Sequence, residues 1–202
     1  MRKLFIFFIA FFCFVNLNAQ LFVGGSFSLY YTGGKEKTNN NTSDKPSTTS
    51  FNLSPMLGYY MDSKMAVGAN INLGFSRTNN NADPKVISSS STIGLSPFIR
   101  YHLIEMGQLS LLGQGYLSFS YTKEKVKSGN TTNDGDKTTS IGLGVLPGVS
   151  YKLTDKISIE AFIGGLSFNT STVKKPNDDK ETDNSLSLSL SSNLNIGFIY
   201  KF

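Results

Sequence analysis

The chain of 202 residues carries a formal net charge of +5 and one cysteine, Cys13. Cys13 lies in an apolar leader, so the rest of the chain excludes disulfides, thiolate metal sites and a cysteine nucleophile. Without Arg2 and Lys3 the charge is only +3, too small to indicate a nucleic-acid partner, and about 180 residues without a Gly/Pro/Ser linker predict one domain.

The leader predicts export. Residues 1–19 read as a signal peptide and residues 20–202 as the mature domain, because Arg2 and Lys3 precede an apolar stretch at residues 4–15 and Ala19 offers a small residue before the cut. The apolar stretch is shorter than the roughly 20 residues of a membrane-spanning helix. A lipid anchor on Cys13 is the alternative, but "AFFC" lacks the small residues expected before a lipidated cysteine.

Eight segments then alternate apolar with small or polar residues, which is typical of strands with one apolar face. In the third segment, for instance, Met65 and Val67 alternate with Ala66 and Gly68. In the seventh, the apolar residues change from odd to even positions after "GG" at 164 and 165, which predicts a β-bulge. The segments are residues 21–32, 50–61, 65–77, 92–103, 109–122, 140–153, 157 onward and 185–202.

The connections alternate between long and short. Hydrophilic stretches at about 33–48, 78–90, 123–138 and 169–184 are expected to be flexible loops, and residues 62–64, 104–108 and 154–156 to be short turns. This spacing predicts an all-β fold, an eight-stranded antiparallel up-and-down barrel with its long loops at one end. Transmembrane barrels have this layout.

Alternation alone does not distinguish a membrane barrel from a lipocalin-like soluble one. Two features favour the membrane. The less apolar face is mostly Ser, Gly, Asn and Thr, whereas strand positions facing water usually carry charge. Tyrosines also stand near the short-turn ends of four strands, where they predict an aromatic girdle at the membrane interface: Tyr59, Tyr101, Tyr151 and Tyr200.

The last residues, "NIGFIYKF", resemble the C-terminal signal of outer-membrane β-barrel proteins through Asn195, Gly197, Tyr200 and Phe202. Segments such as "GLSPFIRYHL" and "LPGVSYKLTDKISIEAFIGGLSF" extend the likeness over the mature chain. The chain thus resembles the small porin-like outer-membrane β-barrel family, with an architecture like that of OmpX and the OmpA membrane domain. The resemblance implies the outer membrane of a Gram-negative-type envelope, and reading of those four residues by the barrel assembly machinery.

The family is defined by its barrel and not by a reaction. We therefore expect a structural or surface-interaction role without chemistry of its own, and no enzyme, cofactor or metal site. The alternative is a narrow channel or transporter for small solutes, although eight strands enclose little more than their own side chains or one small ligand.

Charged residues gather on the inward face near the short turns: Arg100, His102, Lys152, Glu160 and Lys201. The pattern predicts an internal plug of salt bridges that satisfies buried charge. A selectivity filter or an anion site is the functional alternative. His102, the chain's one histidine, needs no role beyond a hydrogen bond in the lumen, and a Ser-His-Asp triad among so many serines has no support from spacing.

The long loops carry mixed charge and no large aromatic anchors for a partner, so the external partner stays unidentified. Four acidic residues in the last loop predict a solvated charge run rather than a Ca²⁺ loop, because they lack ordered spacing: Asp178, Asp179, Glu181 and Asp183. Lysines near the membrane edge are candidate contacts for lipopolysaccharide phosphates, besides the membrane lipid itself: Lys35, Lys37, Lys123, Lys125, Lys174 and Lys175.

Prolines occur at one position in three strands, each four residues before a girdle tyrosine: Pro55, Pro97 and Pro147. Ile196 holds the corresponding place in the last strand. A closed barrel has no edge strand, and an unpaired carbonyl in hydrocarbon costs several kcal/mol. We therefore expect each proline at a bulge, or opposite a carbonyl satisfied by lumen water or by a side chain such as Ser54 or Ser96.

Overall fold

The computed structural model describes residues 21–38, 41–81, 85–129 and 131–202. Eight antiparallel strands follow one another around a closed barrel, as predicted. The predicted signal peptide lies outside the described residues. Among those residues, no helix is long and apolar enough to cross a membrane. The strands are β1 (Leu21–Thr38), β2 (Asn41–Tyr60), β3 (Met65–Asn79), β4 (Val86–Met106), β5 (Leu109–Ser128), β6 (Thr131–Lys152), β7 (Ile157–Lys174) and β8 (Lys180–Lys201).

The strands extend far into the stretches expected to be flexible loops, and that expectation was wrong. The β5–β6 ladder, for example, continues to the pair Ser128–Thr131. Threonine and serine suit a β-ladder because their hydroxyls bond across it. Toward the long hairpins, hydroxyl pairs join neighbouring strands, with oxygens 2.7–3.1 Å apart: Thr48–Thr78, Ser50–Ser76, Thr92–Thr122, Ser140–Ser171 and Thr172–Thr182.

The opposite end of the barrel has tight turns. In the β2–β3 turn, Asp62 Oδ1 accepts the backbone N–H groups of Lys64 and Met65, each at 2.7 Å. These bonds hold the pKa of Asp62 below its ordinary value. In the β4–β5 turn, Gly107 has a φ of 64°, a left-handed conformation that favours glycine.

The apolar face of every strand points outward. Leu57, Ile99, Val145 and Phe198 are each between 51% and 57% exposed, as the predicted lipid-facing orientation requires. A second aromatic band, which was not predicted, lies toward the long hairpins: Phe51, Phe75, Phe119, Tyr121 and Phe168. The eight residue steps from Phe51 to Tyr59 span ~26 Å along the strand, or ~20 Å at a tilt of ~40°. This separation matches an apolar belt between two interfaces.

Each proline stays paired with the preceding strand, through Pro55–Gly25, Pro97–Ala69 and Pro147–Gly113. Toward the following strand the ladder is broken at the same depth. Pro147 sits at a register shift opposite Gly164, whose φ of 65° marks the predicted β-bulge. Next to Pro55 and Pro97 the pairing stops for two residues and resumes without a shift. These two prolines therefore have no bulge, and for them the other expectation applies, a carbonyl satisfied by water or by a side chain.

Side chains line the lumen beside two of these gaps. Ser54 donates to Asn72 Oδ1 at 3.1 Å, and Asn72 Nδ2 donates to Ser96 Oγ at 2.8 Å. The chain of three polar residues runs across β2, β3 and β4 at the depth where the prolines remove an N–H. Ser54 and Ser96, which the sequence analysis suggested as partners for these carbonyls, therefore lie beside the two interrupted ladders and form part of a hydrogen-bonded network there.

The barrel is filled at its short-turn end. The buried apolar residues of this core all project inward: Phe22, Tyr60, Ala66, Phe98 and Ile199. Gly58 allows Phe22 to approach, because a Cβ on Gly58 would overlap the Phe22 ring. The packing explains why a glycine stands between Met56 and Tyr60 on this face of β2.

We expect Gly58→Ala to destabilise the barrel by about 1–3 kcal/mol, because the added methyl displaces Phe22 from the core. Gly113→Ala is the matched control, since a Cβ there meets only Leu103 at an ordinary 3.7 Å. The midpoint of urea unfolding, followed by heat-modifiable gel mobility, measures the difference. Equal midpoints for the two variants would contradict the packing.

Candidate functional site

Arg100 is the centre of the lumen plug. It is 1% exposed, and Glu160 on β7 is 2% exposed. Arg100 Nη1 donates to Glu160 Oε2 at 2.5 Å, while its Nε and Nη2 donate to Gln114 Oε1 on β5 at 3.0 and 2.7 Å. Three strands therefore converge on one guanidinium. A buried charge is tolerated only with such pairing and hydrogen bonding.

Aromatic rings enclose the same guanidinium. Its Cζ lies 5.0 Å from the Phe98 ring centre, 5.2 Å from that of Phe162 and 5.9 Å from that of Phe22. Cations are attracted to ring faces within about 6 Å. Together with the ion pair, the three rings fix Arg100 across the lumen.

The other predicted plug residues lie nearer the short-turn rim. Lys201 Nζ is 4.3 Å from the centre of the Tyr60 ring, and that ring is 5.9 Å from the His102 ring. Lys152 departs from the prediction: it is half-exposed and pairs with Asp155 at 3.1 Å. It stands at the mouth of the barrel, where the β6–β7 turn offers a closer carboxylate than Glu160 does.

Two buried atoms of the plug have no hydrogen-bond partner among the described residues, His102 Nε2 and Glu160 Oε1. Buried polar atoms are nearly always paired, so each of these invites an explanation. Glu160 lines the cavity above the plug, whereas His102 does not. The two residues therefore have different surroundings, because Glu160 borders the chamber and His102 does not.

Above the plug the lumen holds a polar chamber of about 270 Å³. Its floor contains Met56, Arg100 and Glu160, and its walls carry Asn70 and Ser96. A second cavity of about 410 Å³ continues toward the long hairpins and shares Ser26, Ser54, Asn72 and Ile196 with the first. The lumen is thus closed toward the short turns and hollow above them.

The predicted girdle and C-terminal residues lie at the short-turn end. Tyr101, Tyr151 and Tyr200 are 39–45% exposed on the outward face, and Tyr59, also outward, is half-buried. Tyr200 and Phe202 pack edge to face with ring centres 5.2 Å apart. Phe202 N–H donates to the Leu21 carbonyl at 3.1 Å and so ties the end of the chain to β1. Gly197 lines the chamber, and Asn195 pairs with Phe162.

The sequence reasoning missed Gln114 and the lumen aromatics. Phe22, Phe98 and Phe162 stand at positions that alternation assigns to the small, polar face, so each breaks the pattern of that face. These exceptions to the alternation were the sequence signal that could have identified the lumen aromatics. Of the part of the chain that is described, no group of three or more His, Cys, Asp or Glu side chains is placed to hold a metal ion.

The comparisons with known proteins agree with this architecture. Over 91% of the chain, the fold matches a major outer membrane protein from Thermus thermophilus (TM-score 0.53, 12% identity, 99% of that protein) and E. coli outer membrane protein W (TM-score 0.50, 12% identity, 98% of that protein). It also matches the translocator domain of autotransporter NalP from Neisseria meningitidis (TM-score 0.52, 16% identity, 92% of this chain and 65% of that one).

These identities are low, and the likeness extends to the fold alone. No curated protein matches the sequence. The family model of the outer membrane protein beta-barrel domain, in contrast, matches residues 10–202, nearly the entire chain. With its eight-stranded ring and its outward apolar belt, the chain belongs to the outer membrane protein beta-barrel domain family.

Proposed function

We propose that the protein is a non-conducting outer-membrane barrel that stiffens the membrane and presents β-hairpins at the cell surface, without chemistry of its own. The observation that carries this proposal is the filled lumen. Arg100, Gln114 and Glu160 bond across the barrel, and Phe22 and Phe98 are at most 5% exposed beside them. A barrel of eight strands has room for its own side chains and for little else at such a level.

The surface role is supported by the long hairpins, whose strands continue beyond the apolar belt. Three of the six lysines considered as lipopolysaccharide contacts already pair with acidic neighbours: Lys123–Asp134, Lys174–Asp178 and Lys175–Glu181. Asp178 also raises the pKa of Lys174. We therefore propose lipopolysaccharide phosphates as partners chiefly of Lys35, Lys37 and Lys125. For biogenesis, the exposed Phe202 supports the proposal that the assembly machinery reads the C-terminus.

The narrow channel is the competing function, and conductance in planar bilayers decides between the two. We expect the wild-type protein to insert without conducting. Phe22→Ser combined with Phe98→Ser removes two rings from the plug and is expected to produce discrete channels. The matched control replaces two outward rings, Phe51→Ser with Phe119→Ser, and is expected to stay silent. Steady ion-selective conductance of the wild type would overturn the proposal in favour of the channel.

A further inference from the structure

An apolar groove runs along the outward wall of the barrel from β3 to β6. Its volume is about 510 Å³, and its lining includes Ile93, Leu95, Phe119, Tyr121 and Ile141. Leu95 pairs with Phe119 and Phe119 with Ile141, so these three form one row across the wall. Ile93 and Tyr121 form the next row toward the long hairpins. The groove therefore lies in the upper part of the apolar belt, where a hydrocarbon chain fits.

A trough with basic sides continues the groove toward the long hairpins. The next two outward positions of β4 are serines, Ser91 and Ser89. Ser91 pairs with Lys123 on β5, and Ser89 pairs with Arg77 on β3 and with Lys125 on β5. Directly opposite residues have Cβ atoms ~5 Å apart on the same face of the sheet. The two small serines therefore form the floor of the trough, with Arg77 on one side and the two lysines on the other.

The basic residues of the trough share a single paired carboxylate. Lys137 on β6 lies directly opposite Lys123, and like charges in such a position destabilise a sheet. Asp134 accepts a hydrogen bond from Lys123 at 3.1 Å. This bond lowers the pKa of Asp134, and the charges of Lys137 and Lys125 lower it further. Among the described residues, Lys123–Asp134 is the one ion pair that the trough lysines and Arg77 form.

Other acidic residues nearby do not neutralise the trough. Glu124 lies between Lys123 and Lys125 in the alternation of β5 and therefore points to the lumen. Counting Asp134 and Asp136 against the four basic residues still leaves a net charge of +2. An anion in the trough would offset this charge.

The trough lies at the level where lipid headgroups are expected. Lys123 follows Tyr121 by two residues, or ~7 Å along the strand. Tyr121 belongs to the aromatic band toward the long hairpins, and such bands mark the interface between hydrocarbon and headgroups. A lipid whose chain occupies the groove therefore has its headgroup at the trough.

We propose that the groove and the trough together bind one acylated lipid with a phosphate headgroup, the lipid A part of lipopolysaccharide. The phosphate lies over Ser89 between Arg77 and Lys125, with Lys137 adding charge, and an acyl chain lies in the groove. A guanidinium matches the geometry of a phosphate, and an ammonium supplies a point charge. The inference rests on the proposed contact with lipopolysaccharide and narrows it to one site on β3–β6.

Native mass spectrometry of the intact protein in detergent, titrated with bisphosphorylated lipid A, tests the site. The triple variant Arg77→Gln with Lys125→Gln and Lys137→Gln is expected to bind lipid A about tenfold more weakly or worse, because it removes three charged donors from the phosphate. The matched control removes the same charge at exposed hairpin lysines outside the site: Lys45→Gln, Lys85→Gln and Lys180→Gln. Equal losses in both triple variants would show that net charge alone attracts the lipid, and would overturn the inference.

The choice of probe separates a lipid site from a site for free phosphate. Dephosphorylated lipid A is expected to bind the wild type about tenfold more weakly than lipid A does, and to bind the two triple variants equally. Inorganic phosphate at the concentration of lipid A is expected not to displace it. Equal binding of the two lipids would contradict recognition of the phosphate, and displacement by inorganic phosphate would contradict the part of the groove.

A second variant blocks the trough without changing its charge. Ser91→Trp places a large ring on the exposed floor and is expected to weaken lipid A about tenfold, whereas Asn184→Trp, on the outward face of β8, is expected to have little effect. Heat-modifiable mobility and silence in planar bilayers show that each variant keeps the folded, closed barrel. Variants of the trough that stay folded and silent yet bind lipid A like the wild type would refute the site alone. Conductance of the wild type would refute the proposed function and leave the lipid site standing.

Discussion

Glu160→Ala is expected to destabilise the barrel by about 3–5 kcal/mol, because it leaves the Arg100 guanidinium buried without its counterion. Arg100 is 1% exposed, so little water solvates the guanidinium in place of the carboxylate. Gln114 still accepts two of its hydrogen bonds, but an amide does not neutralise charge. The free energy of urea unfolding in lipid vesicles, read from the heat-modifiable band, is the measurement.

The double variant Arg100→Met with Glu160→Leu is the control. It removes both charges at similar volume, and such replacements of a buried pair are often neutral or stabilising. We therefore expect it to recover most of the stability that Glu160→Ala loses. The single variants Arg100→Met and Glu160→Leu complete the double-mutant cycle, which is expected to give a large coupling energy. Losses in the single and double variants that simply add would contradict the role of the pair as a closed electrostatic unit.

The sequence was sufficient for the fold because the barrel depends on a local pattern. A period of two marks each strand, and long and short connections fix the order of the strands without knowledge of distant contacts. Strand ends were underestimated for a related reason. In the hairpins both faces are polar, as in the run from Lys123 to Lys127, so alternation disappears while the ladder continues.

The lumen could be predicted only in part, because its contacts depend on register. Arg100 and Glu160 were both recognised as inward charges, but they are 60 residues apart and meet through the tilt and closure of the ring. Gln114 carries no charge and therefore gave no signal. Lys152 was recognised as inward, yet its closest carboxylate lies three residues away in a turn. Alternation shows which face of its strand a residue lies on. It does not show how far along the barrel axis the residue lies relative to residues of other strands.

The prolines are a second example of a feature that the sequence predicts only in part. Their repeated position marked a special depth in the wall, but the sequence could not say which neighbouring ladder would break. In an antiparallel strand a residue's N–H and C=O point to the same side. Pro55, Pro97 and Pro147 occupy equivalent positions in their strands. The N–H that each proline lacks would have pointed toward the following strand. Only the register reveals this.

The outward orientation of the apolar face leads to the last prediction. Leu95 and Leu103 share the outward face of β4 and are 50% and 59% exposed. Leu95 lies inside the apolar belt, and Leu103 lies beyond Tyr101 on the short-turn side. In a lipid bilayer, Leu95→Arg is expected to cost about 2–4 kcal/mol and Leu103→Arg about 0–1 kcal/mol, because the cost of a charge falls from the midplane to the interface.

The contrast between the two variants decides what covers the barrel. If water covered the outward face, both substitutions would change stability by no more than about 0.5 kcal/mol, as surface changes usually do. The same residue type, strand and face are compared, so differences in β-propensity largely cancel. Unfolding free energies measured in vesicles give the two values. Equal costs would contradict the lipid-facing belt, whereas a cost confined to Leu95→Arg follows from a wall in which Tyr101 marks the interface.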